Sequence, residues 1–251
     1  RGQTQPIIEE RVRRAVARSI DRARIVAVAL AGFGTPSSSA VPPESPLAWP
    51  GAPGRDTAAA DRLLDAAGWH RAAGGRRARA GTALDVELLT VGSGDNVAEQ
   101  LVQADLGARG IGVRVRQTEM GTFLTTARAA DKRFDLLLAG IPGDMSLSYV
   151  SALFASSQRG GTLDYTGFHD RSLDALLAAA TGARSDDSSR IAWERVQVRL
   201  DSLAPATWLY HSRGVQGVTR RVRGVRMDLR GELATVHDWT LAPRTGRAAS
   251  P

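Results

Sequence analysis

The segment from Ala83 to Ile141 decides the fold: "ALDVELLTVGSGDNVAEQLVQADLGARGIGVRVRQTEMGTFLTTARAADKRFDLLLAGI". Its hydrophobic period changes four times. "ALDVELLTV" and "IGVRVRQT" are rich in β-branched residues and read as strands, and "FDLLLAGI" is a short apolar run that reads as a third. Asn96 to Arg109 reads as a helix with Val97, Leu101, Ala104 and Ala108 on one side, and Gly121 to Ala130 as a second helix. Strand, helix, strand, helix, strand at these lengths predicts an α/β architecture with a mostly parallel or mixed sheet covered by helices.

Working outward, the upstream segment is helical. Val12, Val16 and Ile20 recur four apart, which puts one apolar stripe on a helix whose other faces carry Arg11, Arg13, Arg14 and Arg18. These arginines are expected on a solvated outer face. Asp21 is placed as the N-cap of a second helix holding Ile25, Val26 and Leu30 and closing near Gly32. Gly34 to Gly54 is dominated by Gly, Pro, Ser and Ala and reads as a long loop. A third helix begins near Asp56, buries Leu63, Leu64 and Ala67, and stops at Gly68. "HRAAGGRRARAGT" reads as a polar loop. Downstream, "SLDALLAAA" and "SSRIAWERVQVRLDSLA" read as helices, the second ending before Pro205, while "ATWLYHS" and "VQGVT" read as short strands.

The 251 residues carry 33 basic and 26 acidic side chains, a net charge of +7, and all but one of the basic residues (Lys132) are arginine. They are dispersed, with acids between most of them, which argues against a polyanion-binding stripe. The chain has no cysteine, which removes thiol catalysis, disulfides and cysteine-built zinc sites. No apolar run reaches the length of a bilayer, and no apolar h-region follows Arg1.

Chemistry-bearing motifs are sparse. His70, His169, His211 and His237 stand far apart, and none falls in a metal-ligating pair, so no metal site is expected. "GFGTP" and "GSGD" lack the remainder of a phosphate loop, and no serine sits in a nucleophile elbow, so no catalytic residue is assigned. Two groups of residues remain. Asp144, after the "FDLLLAGI" strand, stands at a strand end where α/β proteins often place ligand contacts, with Ser146 and Tyr149 as its neighbours. Trp208 and Tyr210 alternate along one strand and can offer aromatic faces at a domain junction, although core packing is the commoner fate of such side chains.

Four stretches, in order and spacing, resemble the oligopeptide- and dipeptide-binding family of ABC-importer solute-binding proteins. "VRRAVARSIDRARIVAVALAGFGTPSSSAVPP" is similar to that family's helix, "AID", helix, G-x-G-T-P and P-P. "DRLLDAAGW" resembles its L-L-x-x-A-G-W helix. "AEQLVQADLGARGIGVRVRQTEMGTFLTTARAADKRFDLLLAG" follows its helix, "GI-x-V" strand, glutamate-led helix and "FDL". "APATWLYHSRGVQGVTRRVRGV" resembles its P-x-x-x-L-Y-H-S crossing strand and R-V-x-G-V ending.

The resemblance implies a periplasmic-binding-protein type II-like lobe, a mixed sheet flanked by helices, with most of the N-terminal lobe missing. It implies a second lobe over residues 7–205, a crossing strand and return segment over 206–242, and a disordered tail over 243–251. The hinge crossings it implies lie around Pro6 to Arg11 and Ala206 to Ser212. The function it implies is non-enzymatic: capture of a peptide or similar small polar solute between two lobes and delivery to membrane permease subunits. No cofactor or nucleic acid is implied. The location would be periplasmic or extracytoplasmic, with lipid anchoring through a missing N-terminal segment as one mode of attachment. One departure bears on the ligand. Where peptide-binding members carry "GD-x-x-DP", this chain reads "IPGDMSLSYVSALF", which keeps Asp144 and loses the D-P pair. A competing reading, motivated by the charge, is a small basic domain that binds nucleic acid or an anionic surface; an α/β enzyme ranks third.

Overall fold

The computed structural model describes residues 6–243 except 93, 142, 144, 145, 227–232 and 234. The chain divides into two compact units, one ending at Ser212 and the other beginning at Arg213.

The first unit opens with α1 (Glu10–Ser19) and α2 (Arg22–Ala29). The predicted stripe is the buried one: Val12, Val16 and Ile20 are all 5% exposed or less. Asp21 caps α2 by accepting the Arg24 N–H at 3.0 Å. The arginines of α1 depart from the expected solvated face. Arg11 is exposed, but Arg13, Arg14 and Arg18 are half-buried. The Arg13 guanidinium donates to the Leu203 carbonyl at 2.8 and 3.1 Å, and Arg18 pairs with Asp201 at 2.9 Å. The stems of these long side chains cover apolar surface while their heads reach backbone carbonyls and acids of a later helix.

After α2 the chain enters β1 (Gly34–Pro36), where a loop was expected; it pairs antiparallel with β8 (Tyr210–Ser212). Then α3 (Thr57–Ala66) is capped by Asp56 and buries Ala60 and Leu64. The "HRAAGGRRARAGT" segment is not a loop but a small antiparallel sheet of β2 (His70–Arg71), β3 (Arg77–Arg79) and β4 (Thr82–Ala83). Its arginines hid it. Arg77 is 1% exposed, and its guanidinium takes the place an apolar side chain would hold, donating to Asp61, Asp65 and the carbonyls of Trp69 and Arg109.

The central sheet is parallel, in the order β6-β5-β7, from β5 (Asp85–Val91), β6 (Gly112–Thr118) and β7 (Leu136–Leu137). Between them run α4 (Val97–Gly107) and α5 (Met120–Arg128). The α4 face differs from the expected one. Ala104 and Ala108 are exposed, and the buried residues are Glu99, Val102, Asp105 and Leu106. Two acids can lie on the core side because each is hydrogen-bonded. Asp105 accepts from the Asp21 N–H at 2.8 Å and from Arg24 at 2.7 Å, and Glu99 accepts from the Thr90 hydroxyl at 2.5 Å.

Three helices complete the unit: α6 (Ser148–Phe154), which the periodicity did not indicate, α7 (Arg171–Thr181) and α8 (Asp186–Leu203). Two cores result. The first joins α1, α2, α3 and α4 to the central sheet through residues such as Ile25, Leu64, Leu88 and Leu106. The second gathers Val41, Val150, Phe154, Leu173, Trp193 and Val196 from the 40s loop, α6, α7 and α8. Gln197 of α8 fastens that loop: its side-chain oxygen accepts from the Ser39 hydroxyl at 2.7 Å and the Trp49 N–H at 3.1 Å, and its amide donates to the Leu47 carbonyl at 2.8 Å.

Within the second unit, β9 (Val222–Arg223) pairs antiparallel with β10 (Thr240–Leu241). "VQGVT" forms no strand; the pairing falls a few residues later. Of the tail expected to be disordered, residues 244–251 lie outside the described residues.

Candidate functional site

In a parallel sheet with β5 central, the connections leaving β5 and β6 run in opposite directions, and the crevice outside the strand ends at such a reversal is where open α/β sheets take ligands. By that rule the position to examine lies beside Gly92 and Gly94 to Asn96, which follow β5, and Leu138 to Ile141, which follow β7. The carboxylate of Glu99 lies below the first of these, 7% exposed, and also accepts from the Asn96 side chain at 3.3 Å.

The predicted site residues are distributed as follows. Asp144 lies outside the described residues. Ser146 is exposed in the turn before α6. Tyr149 is buried at 7% exposure in the second core, where its hydroxyl donates to the Ala40 carbonyl at 2.5 Å. Gly143 lies over its ring, since a Cβ there would meet Tyr149 Cε1 at 3.7 Å. Tyr149 therefore supports the turn from beneath.

Trp208 and Tyr210 do not share one face. Trp208 precedes the strand and packs on the second core, edge-on to Phe154 with ring centroids 6.4 Å apart and an interplanar angle of 85°. Tyr210 packs against the first core. The alternation fails because the β8 ladder begins only at Tyr210, so the backbone before it has no strand to fix its pleat. Burial, and then the negative charge of Glu99, raise the Tyr210 phenol above its ordinary range.

The crossing segment is held firmly to this unit. Arg22 Nε donates to the Trp208 carbonyl at 2.7 Å, the Ser37 N–H to the Leu209 carbonyl at 3.2 Å, and His211 Nε2 lies 3.1 Å from the Ser39 carbonyl. Burial lowers the His211 pKa below its ordinary 6.5, outweighing the opposing pull of the Ser39 carbonyl and Glu44. A depressed imidazole favours the neutral form in the folded chain, so the unfolded chain takes up its proton first as pH falls. The associated stability is complete above the unfolded value and lost as pH drops below it. Thermal midpoints recorded from about pH 7 to about pH 5 should fall, and His211→Asn should flatten that slope; an unchanged slope would remove His211 as its source.

Among the described residues no group of three or more His, Cys, Asp or Glu side chains is arranged to hold a metal ion, and no helix is long and apolar enough to cross a membrane.

Residues 3–161 match the family described as bacterial extracellular solute-binding proteins, family 5 middle. The chain belongs to this family of solute-binding proteins. Among curated proteins it is 27% identical over 228 residues to Protein XP55 of Streptomyces lividans, covering 89% of this chain and 41% of that protein. Among solved structures it is similar to the oligopeptide-binding protein AppA of Bacillus subtilis, determined in complex with a nonapeptide, with TM-score 0.75 and 23% identity over 96% of this chain and 49% of that one. It is also similar to HbpA2 of Haemophilus parasuis, with TM-score 0.78 and 18% identity over 96% of this chain and 46% of that one. The chain thus spans about half the length of these relatives, and its α/β architecture is that of a solute-binding-protein lobe.

Proposed function

We propose that this chain supplies the second lobe of a substrate-binding component of an ABC importer, over residues 7–205, with residues 206–242 crossing toward a first lobe. The observation that carries the reading is the parallel β6-β5-β7 sheet of a family-5 chain, whose connections reverse direction about β5. A solute held between two lobes favours closure only through contacts it makes better in the closed form. In this reading the solute is a peptide or similar small polar molecule. Asp144 receives its amine, Ser146 flanks it, Tyr149 holds the turn, and Trp208 and Tyr210 line the crossing. The closed form is handed to permease subunits outside the cytoplasm, with no catalysis.

The basic-surface alternative draws no support from the folded arrangement, because many arginines are consumed within the chain, including Arg24 on Asp105, Arg79 on Glu9, Arg109 on Asp61 and Arg199 on Asp170. Calorimetric titration of dipeptides, oligopeptides and simple sugars, against this chain and against the chain joined to a first lobe, tests the reading. Binding of one class by the joined form, and much weaker binding by this chain alone, is expected. Equal affinity of the two forms would overturn the clamp.

A further inference from the structure

Away from the strand-end crevice, a second depression opens between the α1–α2 corner, the end of α8, the loop before Ala40 and the segment leading to Trp208. Arg18, Arg22, Ser38, Trp49, Asp201 and Thr207 are among its lining residues, and about 20 Å³ of it admits a water molecule.

The charge of this depression is unbalanced. Arg22 is 8% exposed, and among the described residues no carboxylate comes within ion-pair distance of it. Its guanidinium is answered only by carbonyls: Nε to Trp208 at 2.7 Å, Nη2 to Ala17 at 3.0 Å and Nη1 to Ile20 at 3.4 Å. A guanidinium has five N–H donors, so two are left over. Burial and the like charge of Arg18, against a smaller opposing effect of Asp201, push the Arg22 pKa down to about 10, the mark of a cation short of an anion. The hydroxyls of Ser38 and Thr207, on the same lining, make no hydrogen bond to another described residue. Asp201, the one carboxylate on this lining, is paired with Arg18 at 2.9 Å. A buried cation with spare donors, a second guanidinium and two free hydroxyls around one opening outnumber the single carboxylate there.

We propose that this depression is a binding site for a small oxyanion, a carboxylate or phosphate group, with Arg22 as its charge partner and Ser38 and Thr207 as hydrogen-bond donors. The site shares Thr207 with the proposed crossing segment, so its own variants, Ser38→Ala and Asp201→Asn, test it apart from the clamp. Oxyanion recognition by guanidinium and hydroxyl donors is strong because the bonds are charge-assisted, and burial of Arg22 limits screening by salt.

The test is titration of the chain with inorganic phosphate and with acetate, at constant ionic strength against chloride, read by calorimetry and by the thermal midpoint. Saturable binding and a raised midpoint are expected. Ser38→Ala and Thr207→Val should each weaken binding about three- to tenfold with the unliganded midpoint unchanged. Asp201→Asn, which removes the competing negative charge, should strengthen it several-fold. Arg22→Met should abolish it; because Arg22 also holds the Trp208 carbonyl, the hydroxyl and Asp201 variants decide the matter if that protein fails to fold. A dipeptide compared with its C-terminal amide identifies the source: binding of the acid form alone assigns the anion to a peptide terminus, and binding of phosphate or acetate without the dipeptide assigns it to a free ion. No binding above the chloride control, or binding that ignores Ser38→Ala, Thr207→Val and Asp201→Asn alike, would overturn the proposal.

Discussion

Arg77→Ala is expected to destabilise the chain by about 3–5 kcal/mol, the usual consequence of removing one member of a buried charge network. For a unit of this size that corresponds to a fall of roughly 6–20 °C in the thermal midpoint. Arg77 holds the β2–β4 sheet against the rest of the unit. Its guanidinium donates to Asp61 at 2.8 Å, Asp65 at 2.5 Å, the Trp69 carbonyl at 2.5 Å and the Arg109 carbonyl at 2.9 Å. Arg109 reaches the second oxygen of Asp61 at 2.7 Å and Arg71 lies 3.6 Å from the first, so removal of Arg77 takes one of three arginines from Asp61, the arginine from Asp65 and a donor from each of two carbonyls. Asp61 and Asp65 are partly exposed, with 30% and 53% of their side-chain surface accessible; water recovers part of the loss there and sets the lower end of the range. Arg77→Lys should recover less than half, because an ammonium cannot reproduce the planar fork. Chemical denaturation of the three proteins checks this, and a loss below about 1 kcal/mol for Arg77→Ala would show the network to be no more than a surface ion pair.

The second large effect falls on the other core. Phe154 is 0% exposed and stands edge-on to Trp208. Phe154→Ala should cost about 3–5 kcal/mol through the lost transfer energy and the cavity left behind, while Phe154→Leu should cost less because most of the volume is kept. The substitution also removes the wall against which Trp208 rests. Trp208 fluorescence should therefore change in the folded state, before any unfolding. A Phe154→Ala protein with the wild-type emission spectrum and midpoint would mean that the second core does not support the crossing segment.

These two residues also mark where sequence reading worked and where it stopped. The alternation from Ala83 to Ile141 pointed to a mostly parallel or mixed sheet with two intervening helices, and the sheet there is parallel, because strand and helix periods impose themselves wherever one face is apolar. The "HRAAGGRRARAGT" segment defeated the same logic, since its one inward residue is an arginine whose burial depends on acids from α3 and carbonyls distant in sequence. The buried face of α4 was misplaced for a related reason: Glu99 and Asp105 look like solvent-facing residues until Thr90, Asn96, Asp21 and Arg24 are seen to satisfy them. The arginines of α1 were assigned to solvent, whereas Arg13 and Arg18 reach the end of α8, a pairing across more than 180 positions that no local period can display. The candidate site was only partly legible. Tyr149 was found as a neighbour of the turn, but its role beneath it rests on the Ala40 carbonyl. The Arg22 depression left no trace in the sequence, because it is assembled from segments around positions 18–22, 38–49 and 197–208.

The central claim is that solute is held at the strand-end crevice of this lobe and against its crossing segment. Hydrogen exchange of the chain joined to a first lobe, with and without a bound oligopeptide, tests it most directly. The account predicts added protection in residues 92–96, 139–148 and 206–212, with the outer faces of α7 and α8 unchanged. Protection confined to other surfaces, or none in those three segments on saturation with peptide, would contradict it.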